Sequence, residues 1–575
     1  MPIRISGMNS GLDTEALVSE LVSAYNKKTD KYVKAQTKVA WKQEAWKTMS
    51  AKTYSFRSSL DKMRFSSAYN LKTTSVSNSS KVSVTAGNNA VNGTQTLQIT
   101  SLAKSGYLTG GKVKSLTGSP VSGSTNMGML GVSESGDFSI NGKRITVSAD
   151  TTVNDVLSKL KDAGVSANFD ATNQRIFVSA KESGEDADFS LTALNGNGAK
   201  ALSALGLNVK PADDDMTYYA QYVTAYDGKS DSALISMLQS YGNGDKETDR
   251  LITSFAKEYK NADSTTKDIV LQEFKDFISY AKNVKEDEIG YNTDAARIYG
   301  QDAKIKLNGA EFTSNSNSFS INGLTINALA LTGEDEVLSI TTSTDNQGIY
   351  DKIKDFLSEY NSLINSMTSS YNAENTNSYE PLTNDEKDSM SEKEIEKWEE
   401  KGKSGILRRD STLSTLMSAM TTVMSKSYTI NGKSYALSSF GIKTLGIMNA
   451  EKNEQNAYHI DGDADDESTS SNTDKLMAAI TADPDGVTQF FQKLSSDLYD
   501  KLGENMTSTT LRSYGTFYND KEMAKEYSDY TKTISDWEQK VADIEDSYYK
   551  KFAAMESALA ELQSQTSQLS GLLGM

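Results

Sequence analysis

The chain has 575 residues, with 60 Lys and Arg against 77 Asp and Glu, and a formal net charge of −17. This acidic balance argues against a nucleic-acid-binding protein, which needs a basic face to displace counterions from phosphate. The absence of Cys excludes disulfides, thiolate metal sites and a Cys nucleophile, and the single His459 cannot pair with a second histidine of the same chain. At roughly 150 residues per domain, the length allows about four domains.

Neither a membrane span nor a secretory signal is visible in the sequence. No stretch approaches the ~20 apolar residues of a transmembrane helix. Residues 1–20 lack a basic segment followed by an apolar one. We therefore expect no membrane insertion, and either a cytosolic protein or one that leaves the cell without a cleaved signal.

A heptad pattern of apolar residues dominates the N-terminal region. Steps of three and four residues from Val18 meet apolar side chains everywhere except at Lys28, Lys42 and Thr53. Asp13 or Thr14 is a candidate N-cap, and the helix would be roughly 75 Å long at 1.5 Å per residue. The other positions of this seam are Leu21, Tyr25, Tyr32, Ala35, Val39, Trp46, Met49, Phe56, Leu60 and Met63.

The C-terminal region carries a second seam of the same kind. One extra step of four residues, a stutter, separates Tyr548 from Phe552. The remaining seam positions are Ile534, Trp537, Val541, Ile544, Met555, Leu559, Leu562, Thr566, Leu569 and Leu573.

A single helix cannot bury such a seam, because each apolar side chain gains about 1.5–3 kcal/mol on leaving water. Two interpretations follow. Either the two ends pair with each other as an antiparallel coiled-coil hairpin, or they pack against other subunits. The periodicity alone favours the intramolecular pair. The polar residues Lys28, Lys42, Thr53 and Thr566 are expected to weaken whichever pairing forms.

The middle of the chain begins with short alternating runs that predict antiparallel strands over residues 71–127. An aromatic-Ser/Thr-Ile-Asn-Gly phrase then recurs at residues 138–142, 319–323 and 428–432. Asn-Gly after an alternating run predicts a hairpin, since a type I′ turn needs positive φ at both central residues. Internal duplication and convergence of hairpins explain the recurrence equally well.

Helical spacing interrupts and then follows the strands. Residues 212–300 read as a mostly helical, acidic insertion in a β-rich region. Three apolar faces after Ile349, within residues 349–367, 413–424 and 487–502, predict a helical bundle together with residues 46–63. The Met residues of these faces are interpreted as adaptable core filler, with a ligand surface as the alternative.

The sequence offers no strong signal for chemistry. Gly106–Lys112 spells a phosphate-loop pattern, but Val113 stands where Ser or Thr must hold Mg²⁺. The acidic run around His459, residues 459–467, has the Asp spacing of a calcium loop without its turn Gly or bidentate Glu, and is interpreted as a solvated turn. A glycosidase pair of carboxylates stays open, although nothing singles one out. We expect no enzyme activity, no cofactor and no metal site.

Ordered landmarks along most of the chain resemble one protein family. The opening Ile5–Glu15, the run Gly93-Thr94 to Ala103 and the stretch 138–180 resemble segments of the flagellar filament cap, or hook-associated protein 2, family. The most specific landmark is Tyr379–Thr383. It is followed by Met390-Ser391, Ile395, Trp398-Glu399, Gly405–Leu407 and Asp410, and at the C-terminus by Phe552, Met555-Glu556, Leu559, Leu562 and Ser564–Leu569.

This resemblance implies a structural cap at the filament tip, exported through the flagellar type III channel without a cleaved signal. The cap would be a homo-oligomeric ring that promotes folding and polymerisation of exported flagellin and prevents its loss. Further implied partners are the filament end, the hook–filament junction proteins and a cytosolic export chaperone that binds the C-terminal region. The alternative function is a surface adhesin whose exposed head domains bind host mucus glycans or mucin.

The resemblance also assigns the seams and the domains. It reverses the preference for an intramolecular pair, and makes Val18, Leu21, Tyr25, Tyr32, Val39, Ile534, Trp537, Val541, Ile544, Phe552, Met555, Leu559, Leu562 and Leu569 a subunit and flagellin interface. The expected fold is α+β and multidomain, with long terminal coiled-coil helices, a helical-bundle middle domain and antiparallel β-rich head domains. Its predicted parts are an N-terminal leg (1–45), a bundle helix (46–70), a β-rich head (71–127 and 301–345), an outer head with the insertion 212–300 (128–300), a helical bundle with a hairpin near 428–437 (346–520) and a C-terminal leg (521–575).

Overall fold

The computed structural model describes residues 11–210, 215–241, 247–285 and 290–573. The helices are α1 (Thr14–Met63), α2 (Val153–Asp162), α3 (Gly196–Ala204), α4 (Asp215–Tyr226), α5 (Asp231–Ser240), α6 (Glu247–Asn261), α7 (Ser264–Asn283), α8 (Asn346–Tyr371), α9 (Asn384–Asp388), α10 (Glu392–Ser404), α11 (Ser411–Met424), α12 (Lys475–Ala482), α13 (Pro484–Glu504) and α14 (Asp520–Leu573).

The strands are short and pair mostly in antiparallel fashion. They are β1 (Lys72–Val76), β2 (Val82–Ala86), β3 (Gly93–Ser101), β4 (Ser105–Lys112), β5 (Gly136–Ile140), β6 (Lys143–Val147), β7 (Ser166–Asp170), β8 (Arg175–Ser183), β9 (Leu191–Ala193), β10 (Ala296–Ile298), β11 (Ala303–Leu307), β12 (Ala310–Ser314), β13 (Ser318–Ile321), β14 (Leu324–Ala328), β15 (Leu338–Thr344), β16 (Tyr428–Ile430), β17 (Lys433–Tyr435), β18 (Ile442–Lys443) and β19 (His459–Ile460).

The chain divides into two compact units. The head unit is residues 72–343, and the bundle unit combines residues 1–71 with residues 344–575. The α+β fold class predicted from the sequence is confirmed, with long terminal helices, a helical bundle and antiparallel sheets. The finer division into six parts stays a prediction, apart from the correction to the head given below.

The bundle unit has one core, and chain from before and after the head unit in the sequence contributes to it. The second half of α1 buries Trp46, Met49, Phe56, Leu60 and Met63 in one core with the apolar faces of α8, α11 and α13. The three faces predicted within residues 349–367, 413–424 and 487–502 therefore meet in one bundle, and Met420 and Met424 are buried core residues. The hairpin predicted near 428–437 forms from β16 and β17.

The three Asn-Gly phrases all form the predicted tight turns. Asn141, Asn322 and Asn431 have φ angles of 53°, 48° and 49°, and the glycines that follow them have φ angles of 78°, 80° and 79°. Positive φ at both central residues is the geometry that a type I′ hairpin needs. The turns join β5 to β6, β13 to β14 and β16 to β17.

The head unit contains two cores. The β-rich core draws on residues 82–99 and 303–340, in the sheets β1-β15-β3-β11-β12 and β13-β14-β2. The mixed core draws on residues 108–281, where the sheets β10-β4-β8-β7 and β6-β5-β9 pack with α2–α7. The insertion predicted as helical supplies α4–α7 of this mixed core.

One predicted boundary in the head is wrong. The sequence predicts that residues 105–127 belong to the β-rich head, but β4 pairs with β8 and β10 in the mixed core. The change of core falls instead at the bridge between Lys104 and Gln301. An alternating apolar pattern predicts a strand but does not indicate which sheet that strand joins. The prediction therefore grouped β4 with the strands that precede it in the sequence.

The insertion packs on the β5–β6 hairpin through a buried acidic group. Glu273 of α7 is 2% exposed, and its Oε1 accepts a hydrogen bond from the backbone N–H of Arg144 at 3.0 Å. Within the described chain, its Oε2 has no hydrogen-bond partner. The Arg144 guanidinium also forms ion pairs with Asp137 and Asp276. Burial raises the pKa of Glu273 to about 7. The negative charges of Glu258 and Asp276 also raise this pKa, whereas Arg144 lowers it.

We expect this carboxyl to make the head unit less stable as the pH rises from about 4.5 to about 7. In that window the folded state holds a proton that the unfolded chain has released, so the free energy of unfolding falls by on the order of 1–3 kcal/mol. The E273Q variant, which is neutral at every pH, should lose this slope.

Hydrogen exchange of peptides from residues 136–147 and 264–283, corrected for intrinsic rates, measures the effect in the full chain. The exposed E182Q variant is the matched control and should keep the slope. An identical pH profile in E273Q and the unmodified protein would contradict the assignment.

Candidate assembly surface

The sequence favours a continuous α1 for simple local reasons. Asp13 caps the helix, since its side chain accepts a hydrogen bond from the N–H of Ala16 at 3.0 Å. Glu15 lies in the first turn, where a negative charge suits the helix dipole. No Gly or Pro interrupts the 50 residues from Thr14 to Met63. One uninterrupted helix therefore runs from the bundle core to the start of the described chain.

The start of α14 is fastened to the bundle end of α1. The Asp520 carboxylate accepts hydrogen bonds from the N–H of Ser513 at 2.7 Å and the hydroxyl of Thr516 at 3.1 Å. Just before the helix, the Tyr518 ring stacks on Trp46 with a centroid distance of 5.6 Å. The last helix therefore begins beside the point where α1 leaves the bundle.

From this point the two helices run antiparallel. The amide of Gln36 donates a hydrogen bond to the Thr531 hydroxyl at 2.6 Å, and the Lys28 ammonium lies 5.1 Å from the centroid of the Trp537 ring. Residue numbers thus fall along α1 as they rise along α14. We call this pair, residues 14–45 with residues 520–573, the terminal rod.

The rod brings most of the predicted interface residues together within one chain. Val18 is 1% exposed and fully covered. Half-buried positions follow the predicted stripe, including the stutter, on both helices: Tyr25, Tyr32, Val39, Ile534, Trp537, Val541, Ile544, Phe552, Met555 and Leu559. The intramolecular antiparallel pair suggested by the periodicity is thus present in the structure.

Three predicted interface residues lie outside this pairing. Leu21 is 43% exposed, and Val22 is buried in its place, so the stripe of α1 shifts by one residue near its start. Leu562 and Leu569 are 59% and 58% exposed. Every side chain from residue 561 to residue 570 is exposed, so we call this segment the uncovered end of α14.

The polar residues expected to weaken the seams have partners. Lys28 lies over the Trp537 ring, a cation–π contact that stabilises the pairing by about 0.5–1 kcal/mol. Lys42 forms an ion pair of 2.9 Å with Asp410 outside the seam. Thr53 and Thr566 donate their hydroxyls to carbonyls one turn earlier in their own helices. The expected weakening of the pairing stays a prediction, although each of these four side chains has a contact of its own.

Side chains pair with three carboxylates of the acidic turn near His459. The Lys354 ammonium lies 2.6 Å from carboxylate oxygens of both Asp463 and Asp465, and His459 Nδ1 lies 2.6 Å from Asp466. No group of three or more metal-binding side chains occurs among the described residues. The phosphate-loop pattern of Gly106–Lys112 lies in strand β4, which lacks the loop-to-helix geometry of that motif.

None of the described helices is both long enough and apolar enough to cross a membrane.

The rod yields a prediction about stability. Ile544→Asp should shorten the helical rod and destabilise it by on the order of 1–3 kcal/mol, because a charge then enters the half-buried stripe. Leu562→Asp should leave the helix content unchanged, since that side chain is already exposed. Far-UV circular dichroism during thermal unfolding measures both variants. Equal losses in the two would show that the uncovered end is packed within the chain.

Two sequence models of one family match the chain at its two ends. Residues 10–106 match "Flagellar hook-associated protein 2 N-terminus", and residues 300–564 match "Flagellar hook-associated protein 2 C-terminus". Residues 107–299, which contain most of the mixed core, lie between the two matches.

Curated relatives carry the same description. The flagellar hook-associated protein 2 of Halalkalibacterium halodurans is 25% identical over 285 residues, which are 44% of this chain and 50% of that protein. The chain thus spans half the length of this relative. The protein of the same name from Thermotoga maritima is 22% identical, with 99% of this chain and 96% of that protein covered. Neither description supports the adhesin alternative.

Among solved structures, the D1-D2-D3 domains of the flagellar cap protein FliD from Escherichia coli align with 81% of this chain and 97% of that one. The TM-score of this alignment is 0.41 and the sequence identity is 18%.

Proposed function

The chain belongs to the flagellar hook-associated protein 2 family, and we propose that it caps the distal end of the bacterial flagellar filament. In this role it forms a homo-oligomeric ring, promotes the folding and polymerisation of exported flagellin, and prevents the loss of flagellin from the tip. Its relatives are described as flagellar hook-associated proteins, and that description supports a role on the bacterial flagellum.

The uncovered end of α14 is the observation that carries this proposal for the present chain. Leu562 and Leu569 continue the apolar stripe of the rod, yet both are more than half exposed. Leaving such a stripe in water is unfavourable, so it favours association with another helix. Neighbouring subunits of the ring and the terminal helices of flagellin are the partners that fit an apolar heptad stripe.

The mechanism is mechanical and involves no chemical step. The rod holds its half-buried stripe loosely compared with the bundle core, where the same helix is fully covered. Such a stripe can exchange one helical partner for another at small cost in free energy. The ring therefore steps and opens one gap for each arriving flagellin. The absence of enzyme activity stays a prediction.

Export and further partners are also part of the proposal. The chain passes through the type III channel unfolded and without a cleaved signal, for which a cysteine-free sequence is suited because no disulfide must be opened. A cytosolic chaperone covers the C-terminal region before export, and the cap then meets the hook–filament junction proteins. The apolar uncovered end is the segment that most needs such cover.

The L562D/L569D variant tests the proposal. Both side chains are exposed, so the chain should fold normally, while two carboxylates on the stripe should abolish contacts with neighbouring helices. Cells that carry the variant should grow no filaments and should release flagellin monomers into the medium. Electron microscopy of cells and immunoblots of the medium measure both effects.

The control is Leu116→Asp, at a position of the head unit that is 75% exposed. This variant adds a charge at an exposed leucine far along the sequence from the rod and should leave filament growth intact. Normal filaments in the L562D/L569D cells would refute the assigned role of the uncovered end.

A further inference from the structure

The segment from residue 374 to residue 410, which contains α9 and α10, lies along the rod half of α1. We call it the brace. It includes the most specific sequence landmark, Tyr379–Thr383, and the capping function proposed above gives this segment no role. Its contacts with α1 extend from Lys34 to Lys42, or about 12 Å of helix.

The centre of the brace packs against Trp41 at very short range. A Cβ atom added to Gly402 would lie 2.8 Å from the Trp41 ring and 2.6 Å from the carbonyl oxygen of Tyr379. Trp41 is 7% exposed although it lies off the heptad stripe, and the Lys403 ammonium lies 5.6 Å from its ring centroid. Only glycine permits this approach, so Gly402 and Trp41 form a close steric lock.

Two ion pairs, one before and one after Gly402 in the sequence, fasten the brace to α1. Lys34 lies 2.7 Å from Glu386 Oε1, and the Glu386 Oε2 caps α9 by accepting the N–H of Thr383 at 2.7 Å. The Lys34 ammonium lowers the pKa of the Glu386 carboxyl. At the other end, Lys42 pairs with Asp410.

The Asp410 contact ties the rod to the bundle itself. Its carboxylate also accepts the N–H groups of Thr412 and Leu413 at 3.0 and 3.1 Å, and so caps α11. Leu413 is a fully buried residue of the bundle core. The Asp410 carboxylate thus connects Lys42 of the rod to a helix of the bundle core.

The brace is internally rigid. The Tyr379 and Trp398 rings lie 4.9 Å apart, and the Trp398 indole N–H donates to the carbonyl of Glu380 at 2.7 Å. Capping boxes begin both α9, at Thr383, and α10, at Ser391. A stiff segment with three attachments transmits the orientation of the bundle to the helix beside it.

We propose that the brace is a positioning element that fixes the direction in which the terminal rod leaves the bundle, with Gly402 and Trp41 as its positioning residues. Between residues 32 and 42, α1 is held by the brace as well as by α14, which contacts it through Tyr530 and Thr531. The consequence for assembly rests on the proposed capping function, since a rod of fixed direction presents its uncovered end to one place on a neighbour.

The direction of the rod is measurable because the chain has no cysteine. Spin labels at K27C on the rod and S418C on α11, both exposed positions, report one distance by pulsed electron resonance. Labelled chains are diluted into unlabelled chains so that only distances within one chain contribute. The unmodified protein should give a single narrow peak.

The G402A and W41A variants should lose that single peak and give a broad distribution, while the bundle keeps its thermal transition. W41F retains an aromatic ring and should therefore keep the single narrow peak. The matched control is G196A in the head unit, where an added Cβ meets no atom within 4 Å. An unchanged narrow peak in folded G402A and W41A would overturn the proposal.

This measurement requires no flagellin and no ring. A lost peak together with normal filaments in G402A cells would keep the brace as a positioning element and overturn its role in assembly. An intact peak in G402A, together with failed filaments in L562D/L569D cells, would overturn the positioning role of the brace and leave the capping function standing.

Discussion

The covalent continuity of α1 is the constraint on which the bundle unit depends. One helix without Gly or Pro serves two environments, since residues 46–63 complete the bundle core and residues 14–45 form half of the rod. A straight helix has no soft joint between these halves. The packing of Trp46, Phe56 and Leu60 therefore sets where the rod starts, and a rod that changes direction while the core stays intact must bend α1 beyond Trp46.

The same heptad stripe is covered to different degrees along its length, and this difference has a geometric cause. In the bundle, α1 meets α8 and α13 as well as the chain before α14, and its seam side chains are fully buried. In the rod it meets α14 and, over a short stretch, the brace. Two helices cover only a narrow strip of each other, so Val39 and Ile544 stay half-buried and keep apolar area that a third helix could cover. A structure that must accept new helical partners needs this incomplete cover.

The sequence predicted what depends on local spacing and missed what depends on the choice of partner. The heptad period and its stutter located α1, α14 and the half-buried stripe through Phe552 and Met555. The Asn-Gly pairs located three hairpins. Both signals lie within a few consecutive residues. No local signal indicates that β4 joins the mixed core or that Val22 replaces Leu21. The lock of Trp41 on Gly402 joins residues far apart in the chain, so only the fold reveals why a glycine is required within α10.

The mixed core is attached in a way that separates it from the rest of the head unit. The chain enters it after Lys104 and leaves it at Gln301, and these two residues exchange backbone hydrogen bonds of 2.8 and 3.0 Å. An inserted domain whose ends meet in this way can change its content without moving the strands that flank it. The sequence models of the family match up to residue 106 and again from residue 300, which are almost the same points. The helices α4–α7 and their buried Glu273 thus lie in the part of the chain between the two family matches, while the rod and the bundle depend on α1 throughout.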